Sequence, residues 1–133
     1  MFVRFTAPGA VTRARVAPGL FGPAYWLVWS LRDTPAGLAI RREIDWFEDR
    51  LPVPNRFGVR AKGRTWSDGI CWFRDHAREM VAHAFTLAAL IDDCGVPIDR
   101  IWTRDPGQIL YRDPYQVVAK PERTMLRSPE ALP

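Results

Sequence analysis

The chain reads as a single α+β domain, a mixed sheet of about five strands with three helices and a C-terminal β-hairpin. Three observations lead there. Residues Gly69 to Pro121 run as strand, helix, strand and hairpin with a turn or capping signal at each boundary. Two Pro-initiated helical stretches precede them, and one short alternating strand opens the chain. At 133 residues there is enough polypeptide for one core, since a domain of this size buries about two thirds of the surface its unfolded chain exposes. The domain is expected over residues 1–121, with 122–133 as an extended or mobile tail that lacks apolar spacing.

Phe2-Val3-Arg4-Phe5-Thr6 alternates apolar and polar before Pro8-Gly9, as a strand does. Ala10 to Gly19 is a basic loop. Gly22-Pro23 sets Pro at a helix start, and Ala24 to Arg32 then carries Tyr25, Trp26, Leu27, Val28, Trp29 and Leu31 almost all round the helix. Such a helix is either central or shared with another subunit. Thr34-Pro35 is a second start signal, after which Leu38, Ile40, Ile44, Phe47 and Leu51 fall at helical spacing until Pro52 and Pro54. The outer face of this second helix mixes Arg41, Arg42, Glu43, Asp45, Glu48, Asp49 and Arg50, as solvated faces do.

No period survives from Asn55 to Asp68, which reads as a loop. Ile70-Cys71-Trp72-Phe73 is a short apolar strand, and Asp75 stands as N-cap of a long helix with Ala77, Met80, Val81, Ala84, Leu87, Ala88 and Ile91 on its inner face. Gly95 fits a left-handed helix end, and Val96-Pro97 stops continuation. Ile98 to Thr103 is the next strand. Asp105-Pro106-Gly107 is a turn, and Ile109 to Tyr111 with Tyr115 to Ala119 flank Asp113-Pro114 as a hairpin.

The composition, 47% apolar and 26% charged with six Trp, excludes bulk disorder. The net charge is +4 and, of the 19 basic residues, only Lys62 and Lys120 are Lys. Arg offers a planar donor fork suited to phosphate and carboxylate, while the same bias follows from a GC-rich genome. Cys71 and Cys94 lack CxxC spacing and read as buried free thiols of a reducing compartment. Met1 to Ala10 contains no hydrophobic signal region, and the nearly apolar stretch Gly19 to Leu31 falls short of the ~20 residues a bilayer requires. A cytoplasmic location and no membrane partner are expected.

Three groups of residues could carry function. Arg56, Arg60, Lys62, Arg64 and Trp66 combine four cations with an aromatic ring in one loop, the chemistry of phosphate contacts beside a stacking platform, and Arg13 and Arg15 could extend the patch. The bland alternative is a solubilising loop whose Trp66 closes the core edge. Tyr25, Trp26 and Trp29 divide evenly between core and a homodimer contact. His76, Glu79 and His83 share a helix stripe, yet the two His are nearly two turns, about 10 Å, apart, so a straight helix cannot bring both to one metal. No metal and no cofactor are expected. No Gly-x-Ser-x-Gly elbow, Gly-rich phosphate loop, zinc-finger spacing or RNA-recognition fingerprint is present.

Gly69-Ile70-Cys71-Trp72-Phe73, Pro106-Gly107-Gln108-Ile109-Leu110-Tyr111 and Gln116-Val117-Val118-Ala119-Lys120-Pro121 resemble a family of small proteobacterial proteins of unknown function. That resemblance conveys no activity, and the chain departs from it at Arg112 and Pro114, where the family tends to carry acidic residues. A more distant similarity, to ADP-ribosyltransferase domains, rests on Arg4 in the first strand and on a terminal strand pair that has Asp113 in place of the catalytic Glu. It would imply NAD held by Arg4 and a carboxylate stabilising an oxocarbenium-like transition state.

The function expected from the sequence is a small basic binding module for an anionic partner, either nucleic acid or an acidic protein surface. The enzymatic alternative is ADP-ribosyl transfer from NAD, and the structural alternative is a homo-oligomer built on Tyr25, Trp26 and Trp29.

Overall fold

The computed structural model describes residues 1–9, 18–54, 59–61, 64–66 and 69–120, with 59–61 and 64–66 as backbone. The elements in chain order are β1 (Phe2–Thr6), α1 (Phe21–Ser30), α2 (Pro35–Arg50), β2 (Val59–Ala61), β3 (Arg64–Trp66), β4 (Ile70–Arg74), α3 (Arg78–Asp93), β5 (Asp99–Thr103), β6 (Ile109–Arg112) and β7 (Gln116–Ala119). Three helices and a five-stranded sheet ending in the β6–β7 hairpin make an α+β domain. The basic loop at 10–17 and the tail beyond 120 lie outside the described residues.

The sheet order is β5-β1-β4-β7-β6, and all four ladders run antiparallel, where the sequence suggested a mixed sheet. The reason is an insertion. A strand-helix-strand unit such as β4-α3-β5 makes its two strands parallel, and they are, but β1 lies between them and pairs antiparallel with each. Val3 stands opposite Phe73 on one side and Trp102 on the other.

One face of this sheet holds the helices. Val3 and Phe5 of β1 and Phe73 of β4 share an apolar cluster with Leu20, Ala24 and Leu27 near and in α1, Ile40, Ile44 and Phe47 of α2, and Met80, Ala84, Leu87, Ala88 and Ile91 of α3. The two-residue strand period sends their neighbours to the other face, where Ile70, Trp72, Val117 and Ala119 form a second buried cluster flanked by Phe2 and Ile109.

Several boundaries differ from the sequence reading. α1 begins at Phe21, so Pro23 lies inside the first turn, where its missing N–H costs nothing. Asp75 does not cap α3. Ala77 occupies that position without a side-chain bond, while Asp75 faces the chain's amino terminus at 3.7 Å. His76 therefore precedes the helix, and the stripe it was to share with Glu79 and His83 does not form. Asn55 to Asp68 is not wholly irregular, because β2 and β3 pair as a two-stranded sheet of their own with Arg60 opposite Thr65 and Arg64 opposite Ala61. Leu38, placed on the inner face of α2 by spacing, is 55% exposed.

The start of α2 is built as its sequence announces. Thr34 Oγ1 accepts from the Gly37 amide at 3.1 Å and donates to the Leu31 carbonyl at 2.5 Å, with Pro35 at the first helical position. This capping brings the α1–α2 connection so close that a Cβ on Gly37 would lie 2.1 Å from the Leu31 carbonyl oxygen. Replacing Gly37 by Ala is expected to destabilise the fold by about 2 kcal/mol or more. Urea denaturation of the variant checks this, and an unchanged midpoint would show that the turn yields freely.

Candidate functional site

Helix α1 divides its apolar surface. Pro23, Ala24 and Leu27 are buried, while Tyr25, Trp26 and Trp29 are 45%, 63% and 70% exposed. Trp26 and Trp29 are three residues apart, and Tyr25 and Trp29 four, so the rings occupy one continuous helix face. Of the two readings open for this helix, core is thus true of its Leu27 side and not of the three aromatics.

Charged groups stand at both ends of that face. The Arg32 guanidinium lies over Trp29, 4.6 Å from the ring centroid. At the other end the Tyr25 hydroxyl donates to Glu48 Oε1 of α2 at 2.5 Å. That bond, with some desolvation and the Glu48 charge, raises the Tyr25 pKa above its ordinary value. Arg41 reaches Asp45 at 2.9 Å and Glu48 at 3.7 Å, which completes a network of both signs along α2.

A second cluster joins α2 to α3. His83 Nδ1 lies 2.7 Å from Glu43 Oε2, and its ring is stacked on Trp46 at 3.6 Å between centroids and 11° between planes. The Arg50 guanidinium lies over the same indole at 4.8 Å. A carboxylate on Nδ1 fixes the ring's orientation, as it does behind many metal-bound and proton-transferring His. Among the described residues, however, no three His, Cys, Asp or Glu side chains gather where a metal could sit. Sequence spacing missed this pair because Glu43 and His83 are 40 residues apart and Glu43 read as part of a solvated face.

The residues implied by the ADP-ribosyltransferase resemblance are occupied structurally. Arg4 is only 7% exposed in β1, an interior strand of the sheet, and burial lowers its pKa from the ordinary value. Asp113 accepts from the amides of Tyr115 and Gln116 through Oδ1, and from the Tyr111 hydroxyl and Gln116 Nε2 through Oδ2. Gln116 Nε2 also donates to the Pro52 carbonyl at 2.8 Å, which ties the hairpin turn to the end of α2.

The basic segment falls only in part among the described residues. Arg60, Arg64 and Trp66 sit in β2 and β3, and Arg56 and Lys62 lie outside the described residues. In backbone register Arg60 stands opposite Thr65 and Trp66 opposite Val59. No described helix is long and apolar enough to cross a membrane. No family model matches the chain, and no match is found among curated proteins or solved structures.

Both cysteines are free and partly buried. Burial, aided by Asp113 and opposed by Arg4, pushes the Cys71 thiol up to about 11. Two consequences follow from its favouring the neutral form. In a Cys94→Ser background, iodoacetamide at pH 8 should modify folded Cys71 about a hundredfold more slowly than the unfolded chain, a ratio that mass spectrometry reads. Above pH 9 the unfolded thiol releases its proton before the folded one, so this contribution to stability is full below pH 9 and lost on the way to about pH 11. Equal labelling rates would contradict the burial.

Proposed function

We propose that this chain is an interaction module whose contact surface is the aromatic face of α1. The observation that carries the reading is the exposure of Trp26 and Trp29 together with Tyr25 on one side of one helix. Scattered exposed apolar residues are ordinary, but contiguous aromatic patches of a few hundred Å² on a small protein mark contact sites. Trp, Tyr and Arg are also the residues that dominate binding energy at protein interfaces, and Arg32 completes that set. Burying each indole against a partner is worth about 1.5–3 kcal/mol.

The test places a photo-reactive benzoylphenylalanine at Ser30, one turn beyond Trp26, and for comparison at Arg104, which is exposed after β5. Irradiation of cells that make the protein should yield a cross-linked adduct from position 30 and none from position 104. No adduct from position 30 would overturn the reading.

A second reading is favoured by a separate observation, the β2–β3 ribbon. It forms its own sheet and carries Arg60 and Arg64, with Arg56 and Lys62 adjacent in sequence. The reading is of an anionic partner, nucleic acid or an acidic protein. A two-stranded ribbon fits the major groove of a duplex, and Arg side chains carried on it would meet the phosphates along the groove. Arg60→Ala with Arg64→Ala should then weaken binding to labelled duplex and reduce the slope of log K against log salt by about two. Fluorescence anisotropy at several salt concentrations measures both, and an unaltered slope ends the nucleic-acid version.

A further inference from the structure

We infer that the occupant of the α1 face is a second copy of this chain, docked helix against helix about a two-fold axis with the two α1 helices antiparallel. The inference rests on the interaction reading above and adds the identity of the partner.

Its first support is the order of charges along the face. Arg32, over Trp29, lies just past the C-terminal end of α1, and Glu48 is held by Tyr25 in the helix middle, toward its N-terminal side. Tyr25 and Arg32 are seven positions apart, roughly 10 Å along the chain's helical path. A two-fold axis between them turns one helix end for end against its twin, so Arg32 of each copy meets the Tyr25–Glu48 end of the other. Two Arg–Glu approaches form, and the aromatic rings between them pack on each other. A parallel arrangement would instead bring like charges together.

The second support is area. An aromatic side chain offers up to about 150–250 Å², so the exposed parts of Tyr25, Trp26 and Trp29 supply roughly 300–400 Å² per copy. Arg32, Glu48, Arg41 and Asp45 surround them and would bring the buried surface toward the ~800 Å² per partner of a standard interface, an aromatic centre with a polar rim. A patch of this kind complements itself through shape-tolerant ring stacking and needs no groove on the partner.

The experiment is sedimentation equilibrium of the purified full chain from about 1 to 200 μM, concentrations that bracket ordinary homodimer affinities. The expected mass is that of a dimer of the 15.2 kDa chain. Trp29→Asp should raise the dissociation constant at least a hundredfold while leaving the far-ultraviolet circular dichroism unchanged, because Trp29 is exposed in the single chain. Arg32→Glu alone should weaken the dimer about tenfold, and Arg32→Glu with Glu48→Arg should restore it. That rescue is specific to the antiparallel pairing and keeps the test sound even if Trp29→Asp disturbs folding. A dimer that Trp29→Asp leaves intact, or a charge swap that fails to rescue, overturns the inference. A monomer at every concentration overturns it as well. In that case an adduct between position 30 and a different protein leaves the interaction reading standing, and no adduct removes both.

Discussion

β1 hydrogen-bonds to β4 along one edge and to β5 along the other, and Val3 and Phe5 on its helix side belong to the cluster that takes in side chains from all three helices. Remove that strand and β5 loses the one ladder it makes among the described residues. The crossover helix α3 would then join two strands with nothing between them. The cost of a charged residue here is visible in Arg4, which the register commits to an interior strand and whose pKa burial lowers.

The helices divide the labour unequally. α2 and α3 behave as amphipathic helices should, each burying one stripe and pinned to each other by Glu43, His83 and Trp46. α1 is short and apolar nearly all round, so packing one side on the core necessarily leaves aromatics on the other. Among the described elements, α2, α3 and one sheet face cover one side of these ten residues. The exposed rings lie on the other.

What the sequence disclosed depends on the range of the signal. Thr34-Pro35, Gly95 and Asp105-Pro106-Gly107 act within a few residues, and each is where its chemistry requires: a cap on Gly37, a φ of 89° at Gly95, and an Asp105 side chain accepting from the Gly107 amide. Asp75 failed as a cap although its type was right, because the chain continues through Ala77 before turning helical. β2 and β3 are three residues each, too short for alternation to register as a pattern. The insertion of β1 between β4 and β5, and the meeting of Glu43 with His83, join residues far apart in the chain and leave no local trace. For the α1 aromatics the sequence posed the right question, core or contact, and only the packing of Leu27 and Ala24 decided which side faced in.

The place of β1 in the sheet has a consequence for how the protein comes into being. During synthesis β1 is made well before its partners, residues 70–74 and 99–103. Until then β1 lacks both of its ladder partners. Pairing of β1 with β5 therefore waits until residue 103 has been made, and a fold dominated by such distant pairings assembles more slowly than a helical bundle of equal length. In that interval both edges of β1 are open to pairing with other chains, the hazard that unpaired strands carry.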